Sequence, residues 1–154
     1  MATTVDDLVA GGTRSRVFVD TNVLVYSTVK SGPFHLEAKA AVDALSRGGA
    51  EQWLSFQILR EYLSAMTRLP AVPLPGILKN IRKYRRSFRL ASDSNLVHDE
   101  LLALLISIPC GGKQVHDANI VATMLVNGVP NLLTHNVADF TRFDKLITIL
   151  PLVP

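Results

Sequence analysis

Short apolar runs typical of β-strands alternate with helical patterns along this chain, and this alternation restricts the possible folds more than any other feature. The first run, at 17–19, reads Val-Phe-Val and stops at Asp20. Further strands are predicted at 53–56, 88–91, 131–134 and 146–150. Helices are predicted at 34–45, 58–69, 77–84, 95–106 and 115–126, between the strands. This order favours a mostly parallel sheet with helices on both faces, so the predicted fold class is α/β.

Length and composition point to one compact domain. The chain has 154 residues, of which 48% are hydrophobic and 19% are charged, which is enough apolar material for a packed core. We expect a single domain over 16–154 and a flexible N-terminal extension over 1–15. No apolar run approaches the roughly 18 residues of a membrane span. The first residues do not resemble a signal peptide, and Cys110 is the only cysteine, so we expect a cytoplasmic protein.

Four acidic residues occupy related places in the predicted sheet. Asp20 ends the first strand, Glu61 lies one turn into the helix after the second, Asp117 opens a helix, and Asp139 follows the strand at 131–134. In parallel sheets, functional groups gather outside the carboxyl ends of the strands. We therefore expect all four side chains to lie on the same rim of the sheet.

Each of these acids also has an ordinary structural interpretation, which the residues alone leave open. Asp20 is a good helix N-cap, and Asp117 lies where a helix dipole stabilises an anion. Glu61 follows Arg60 and can simply be exposed beside it. Asp139 has the chemistry of a turn residue.

Convergence of the acids would require a cation. Two like charges about 4–5 Å apart repel by roughly 3–4 kcal/mol at an effective dielectric near 20. Oxygen ligands suit Mg²⁺ or Mn²⁺, and such a site can activate water for attack on a phosphodiester. The sequence contains no Gly-x-Gly-x-x-Gly, Walker or His-Glu-x-x-His pattern, so those nucleotide and zinc sites are not supported.

Positive charge is concentrated in one part of the chain. Residues 62–92 contain seven Lys or Arg and no acid, whereas the remaining residues are net acidic. Such a segment can be an electrostatic footprint for a polyanion, with Arg82, Lys83, Arg85 and Arg86 as the candidate nucleic-acid contacts. A solvated helix face is the alternative. Tyr84 and Phe88 are equally compatible with a core role and with stacking on bases, and a loop is predicted from Pro70, Pro73 and Pro75.

Four blocks of the sequence resemble the motifs of the PIN (PilT N-terminus) domain family. Val-Phe-Val-Asp-Thr-Asn at 17–22 is similar to the opening motif, and Glu61 matches the second family acid. Val-His-Asp-Ala-Asn-Ile-Val-Ala at 115–122 and Thr-His-Asn-Val-Ala-Asp-Phe at 134–140 resemble the third and fourth blocks. All four occur in the family's order, and chain length and motif style most resemble VapC toxins.

This resemblance implies a fold, an activity and partners. The fold would be a three-layer α/β/α sandwich, and the activity would be Mg²⁺- or Mn²⁺-dependent endonucleolytic cleavage of RNA by the toxin of a type II toxin–antitoxin pair. Asp20, Glu61, Asp117 and Asp139 match the acidic metal-site positions, and Asn22 and Thr134 match supporting polar positions. A homodimer and a cognate antitoxin are also implied. A non-catalytic RNA-binding or protein-interaction module on the same fold is the alternative.

Overall fold

A five-stranded parallel sheet forms the centre of the molecule. The computed structural model describes residues 2–11 and 14–154. The strands are β1 (Arg16–Val19), β2 (Glu51–Ser55), β3 (Arg89–Ala91), β4 (Asn131–Thr134) and β5 (Thr148–Pro151). Their order is β3-β2-β1-β4-β5, and every pairing is parallel. The predicted α/β class with a mostly parallel sheet is confirmed.

Helices of very different length connect the strands. They are α1 (Val5–Ala10), α2 (Thr21–Thr28), α3 (His35–Arg47), α4 (Phe56–Arg68), α5 (Leu74–Ser87), α6 (Asn95–Ser107), α7 (Gln114–Asn127) and α8 (Val137–Phe140), with a 3₁₀ turn at Thr141–Phe143. Helix α2 packs on α3 and α4, whereas α6 packs on α7. Since crossovers between parallel strands are right-handed, the reversal of strand order places α2 to α5 on one face and α6 to α8 on the other.

The apolar runs identified in the sequence become the interior strands. Val17, Phe18 and Val19 of β1 are fully buried, as are Leu132 and Leu133 of the neighbouring β4. A central parallel strand is covered on both faces, which explains why these runs are continuously apolar rather than alternating. The direction of winding reverses between β1 and β4, and such a switch point opens a crevice at the carboxyl ends of the two strands.

Two sequence expectations differ from the structure at proline-rich or polar segments. Helix α5 begins at Leu74 with Pro73 as its N-cap, so Pro75 lies in the first helical turn rather than in a loop. Proline is compatible with the first turn because the amide it lacks has no partner inside the helix. The last strand begins at Thr148 rather than at residue 146, because Leu146 ends a turn by donating its amide to Phe143.

Part of the predicted N-terminal extension, residues 5–10, forms helix α1. In α1 the amide of Asp7 donates to the hydroxyl of Thr4, and the amide of Thr4 donates to the Asp7 carboxylate at 2.9 Å, which is a capping box. Val5 is buried, and α1 packs on α3. Residues 1, 12 and 13 of the predicted extension lie outside the described residues. Along the described part of the chain, every helix is too short or too polar to cross a membrane.

Helix α3 offers a matched test of the core. Leu45 is completely buried, whereas Leu36 near the start of the same helix is 76% exposed. We expect Leu45→Ala to lower the free energy of unfolding by roughly 2–5 kcal/mol, because it leaves a cavity, and Leu36→Ala to change it by less than about 0.5 kcal/mol. Urea unfolding followed by circular dichroism measures both. Equal effects of the two substitutions would contradict the assigned packing of α3.

Candidate active site

The structure brings the four predicted acids to one cavity of about 340 Å³ at the carboxyl edge of the sheet. Asp20 follows β1, Glu61 lies on α4, Asp117 lies in the first turn of α7, and Asp139 lies on α8. The remaining lining residues contain no Lys or Arg: Thr21, Asn22, Val25, Tyr26, Ala65, Asn136 and Phe140. The cavity therefore collects four carboxylates without a basic residue in its wall.

Asp20 is the most firmly held of the four acids. It is only 6% exposed. Its Oδ1 accepts the amide of Thr21 at 2.7 Å, and its Oδ2 accepts the Asn22 amide group at 2.9 Å and the Thr134 hydroxyl at 2.7 Å. Asp20 is thus also the N-cap of α2, so its capping role and its place in the cavity exist together. These bonds join the end of β1 to the end of β4 across the switch point.

Asn22 and Thr134, the predicted supporting residues, extend this connection. Besides its bond to Asp20, Asn22 donates to the Thr134 hydroxyl at 3.3 Å and accepts the backbone amide of His135 at 3.0 Å. Thr134 is completely buried. The ring of His135 packs between Tyr26 and Phe34, with ring centroids 5.4 and 4.4 Å away. The polar groups around Asp20 are therefore fixed by packing as well as by hydrogen bonds.

Glu61 is held by two donors, one of which the sequence analysis missed. Its Oε2 accepts the Thr21 hydroxyl at 2.8 Å, and its Oε1 accepts the side-chain amide of Gln57 at 2.8 Å. The alternative that Glu61 is merely exposed beside Arg60 is not supported, because the Arg60 guanidinium instead contacts Asp93 at 3.4 Å. The signal for Gln57 was its place four residues before Glu61, which puts both side chains on one helix face.

Gln57 also connects α4 to α7. Its amide nitrogen donates to the backbone oxygen of His116 at 3.0 Å, and its oxygen accepts the Asn119 amide group at 2.7 Å. The buried Gln57 side chain therefore uses its acceptor and two donor hydrogens. Because Asn119 lies one half-turn beyond Asp117, this amide pair fixes the spacing between the helices that carry Glu61 and Asp117. Nothing in the sequence alone indicated the pairing.

Burial and charge repulsion raise the pKa values of two of the four acids in the cavity. Burial raises the pKa of Asp20, while the bonds from Thr134, Thr21 and Asn22 partly oppose the increase. The pKa of Asp117 rises to about 6, first because of burial and then because of the charges of Asp139, Asp20 and Glu61; Arg142 acts in the opposite direction. Burial and mutual repulsion thus make negative charge costly here, and a cation would relieve both.

The donor chemistry of the cavity fits a divalent metal ion. Asp20 and Glu61 use both carboxylate oxygens as acceptors, whereas the carboxylates of Asp117 and Asp139 accept no hydrogen bond from residues 2–11 and 14–154. Within these described ranges, no group of three or more His, Cys, Asp and Glu side chains is arranged to hold a metal ion. The oxygens of four carboxylates nevertheless match the ligand preference of Mg²⁺ and Mn²⁺.

The known proteins that this chain resembles are a ribonuclease in sequence and toxin–antitoxin proteins in structure. The chain is 28% identical over 133 residues to ribonuclease VapC48 of Mycobacterium tuberculosis, covering 82% of this chain and 91% of that protein. A toxin–antitoxin complex from Klebsiella pneumoniae contains a chain that superposes with a TM-score of 0.65 at 20% identity, over 89% of this chain and 98% of that one. The chain is thus similar in sequence to a VapC ribonuclease, and it shares the fold of a chain from a toxin–antitoxin complex.

A second solved structure has the same fold. VapC20 of Mycobacterium tuberculosis, a toxin that cleaves the sarcin–ricin loop, superposes with a TM-score of 0.60 at 18% identity, over 75% of this chain and 86% of that one. No family model matches the sequence. The predicted resemblance to VapC-type PIN domains is confirmed by the relative and by the shared fold.

The raised pKa of Asp117 predicts a pH-dependent stability effect in metal-free protein. The Asp117 carboxyl has a pKa of about 6 in the folded protein, above the ordinary value of 3.8. The stability that protonated Asp117 contributes to the fold is therefore fully present below pH 3.8 and is lost as the pH rises through about 6. Asp117→Asn removes this loss. We expect it to raise the free energy of unfolding at pH 7.5 by on the order of 1 kcal/mol, a value discounted for partial exposure, and to have little effect at pH 4.

Urea unfolding in EDTA at the two pH values measures the effect, with Asp144→Asn as the control. Asp144 is exposed and does not line the cavity. A stabilisation by Asp117→Asn that is the same at pH 4 and at pH 7.5 would show that repulsion within the cavity is not its cause.

Proposed function

We propose that this chain is a divalent-metal-dependent endoribonuclease and the toxin of a type II toxin–antitoxin pair. The observation that carries the proposal is the single cavity lined by Asp20, Glu61, Asp117 and Asp139 at the switch point of a VapC-type fold. The name of the Mycobacterium tuberculosis relative, ribonuclease VapC48, supports the activity, and the description of VapC20 supports RNA as the substrate.

In this proposal Asp20 and Asp117 are the principal metal ligands, and Glu61 and Asp139 complete the site. Bound Mg²⁺ or Mn²⁺ supplies positive charge for the phosphodiester and lowers the pKa of a water molecule. Asp117 and Asp139 present carboxylate oxygens that accept no hydrogen bond from the residues that the structure describes. Asp20 is oriented by Thr134 and its neighbours, so its geometry is set before substrate arrives.

The remaining protein groups orient the second pair of ligands. Thr21 and Gln57 hold the two oxygens of Glu61, which limits rotation of that carboxylate. The Asn119–Gln57 bond keeps α7, and with it Asp117, at a constant distance from Glu61. Such preorganisation lowers the entropic cost of positioning the reacting phosphate.

The proposed partners follow from the same assignment. RNA is the substrate, a cognate antitoxin is the inhibitor, and a homodimer in the cytoplasm is the proposed state of the protein. The Klebsiella pneumoniae structure, a toxin–antitoxin complex, supports the antitoxin. The lone Cys110, which forms no disulfide, is compatible with a reducing compartment.

Asp117→Asn is the sharpest test of the catalytic assignment. We expect cleavage of an RNA pool in Mn²⁺ to fall at least about 100-fold, because a metal ligand is lost, while the protein stays folded. Asp20→Asn is less suitable, since its new N–H group would face the donors of Asn22 and Thr134. Gel analysis of end-labelled RNA measures cleavage.

Asp144→Asn is the control and should cleave like the wild-type protein. Wild-type rates for Asp117→Asn, with contaminating nuclease excluded, would contradict its role as a ligand. Tight RNA binding by wild-type protein without any metal-stimulated cleavage would instead identify the non-catalytic RNA-binding alternative.

Metal removal provides a second test with a readout other than cleavage. We expect EDTA to abolish cleavage and added Mn²⁺ or Mg²⁺ to restore it. Mn²⁺ should also raise the melting temperature of the wild-type protein, because an ion that binds only the folded state stabilises it. The increase should be much smaller in Asp117→Asn. Cleavage that persists in EDTA, or equal increases in both proteins, would argue against a metal held by these acids.

A further inference from the structure

A second polar cavity, of about 450 Å³, contains an unusual concentration of arginine. Arg14, Arg86 and Arg89 line it, together with Glu51, which is its only acidic residue. All three arginines are exposed. Gln52, Ser87, Phe88 and Ala50 complete the wall. We refer to Arg14, Arg86 and Arg89 as the arginine cluster.

The arginine cluster lies at the amino edge of the sheet, opposite the edge that carries the four acids. Arg89 is the first residue of β3, and Glu51 is the first residue of β2, where it pairs in register with Arg16 at the start of β1. Asp20 follows the end of β1, about 13 Å from Arg16 at the usual rise of a strand. The arginine cluster and the acidic cavity are therefore separate sites joined through the central strands.

The positive charge of the cluster is only partly neutralised. Glu51 contacts the Nε atoms of Arg16 at 3.6 Å and Arg89 at 3.7 Å, and it accepts the Trp53 indole N–H at 2.7 Å. The guanidinium groups of Arg14 and Arg86 form no hydrogen bond or ion pair with any described residue. The exposed guanidinium groups of Arg14 and Arg86 thus line one cavity without an ion-pair partner among the described residues. Guanidinium is the side-chain group best suited to bind phosphate.

The surroundings favour a polyanion over a single phosphate ion. The cluster is continuous with α5, on which Arg82 and Arg85 are also exposed, and residues 62–92 contain no acid. A ligand with repeated charges gains from each of these groups, because every neutralised phosphate releases counterions. The aromatic groups nearby are packed on each other: Tyr84 of α5 contacts Tyr62 and Phe88 edge-on, and Phe88, which lines the cavity, is only partly exposed. Recognition here would be through phosphates rather than through stacked bases.

We propose that the arginine cluster is a second RNA-binding site, which holds phosphates of the strand that the acidic cavity cleaves. The proposal rests on the proposed ribonuclease function for the identity of the polyanion. The structure separates the four basic residues named from the sequence as candidate nucleic-acid contacts. Arg86 belongs to the arginine cluster, Lys83 lines a different cavity, and Arg82 and Arg85 add positive charge beside the cluster. Because the two sites occupy opposite edges of the sheet, the arrangement favours extended or folded RNA over very short oligonucleotides.

The experiment compares two double variants in the cleavage-deficient Asp117→Asn protein. Arg14→Gln with Arg86→Gln removes two guanidinium groups that have no hydrogen-bond or ion-pair partner among the described residues, so we expect no loss of thermal stability. Lys30→Gln with Lys145→Gln removes the same charge at two exposed positions outside the cluster. Fluorescence anisotropy with labelled, unfractionated tRNA as the probe gives Kd over a series of KCl concentrations.

The arginine variant should weaken tRNA binding at least tenfold near physiological salt and reduce the slope of log Kd against log salt by about 1.5, the value for two lost phosphate contacts. The lysine variant should change both quantities far less. Equal effects of the two double variants would overturn the site, because net charge alone would then explain binding.

Cleavage by wild-type protein in Mn²⁺, measured on the same RNA, separates this inference from the proposed function. If the wild-type protein cleaves the RNA but the arginine variant binds tRNA as tightly as its parent does, the arginine cluster is overturned and the nuclease proposal stands. Weakened binding in that variant without wild-type cleavage would support the cluster and overturn the nuclease. Absence of both binding and cleavage would overturn both.

Discussion

Mutual repulsion of carboxylates at one edge of the sheet is the constraint on which the rest of this structure depends. Asp20, Glu61, Asp117 and Asp139 line a single cavity that has no basic residue in its wall. Burial, and then repulsion by the other three acids, raise the pKa of Asp117 to about 6, so the arrangement costs folding free energy near neutral pH. A protein retains such a cost where function requires it, and binding of a divalent cation converts the same repulsion into affinity.

The hydrogen bonds around the cavity explain how the fold tolerates this charge. Asp20 accepts three donors and thereby joins β1 to β4 at the point where the sheet reverses direction. Gln57 and Asn119 connect the two helices that supply Glu61 and Asp117. Buried polar networks that are fully paired specify one arrangement of their elements, so the groups that fix the acids also determine how α4 and α7 meet.

The two edges of the sheet carry charges of opposite sign. The carboxyl edge carries the four acids, and the amino edge carries the arginine cluster around Glu51. Under the proposed ribonuclease function, this polarity would let the amino edge hold the phosphates of an RNA substrate while a metal ion in the acidic cavity serves the cleavage of a phosphodiester.

Local patterns in the sequence determined the strands and the identity of the acids. The buried Val-Phe-Val run and the strand Asn131–Thr134 were predictable because continuous apolar runs are typical of central parallel strands, and Asp20 follows the first of these directly. The places of the other three acids beside predicted strands and helices indicated the same rim of the sheet, and the family resemblance added Asn22 and Thr134. The Gln57–Asn119 bond, the joining of Arg14 to Arg86 in one cavity, and the helix at Val5–Ala10 were decided only by the tertiary structure. Sequence periodicity reports which face of an element is buried, whereas contacts between distant residues, 62 apart for Gln57 and Asn119, depend on how whole helices pack.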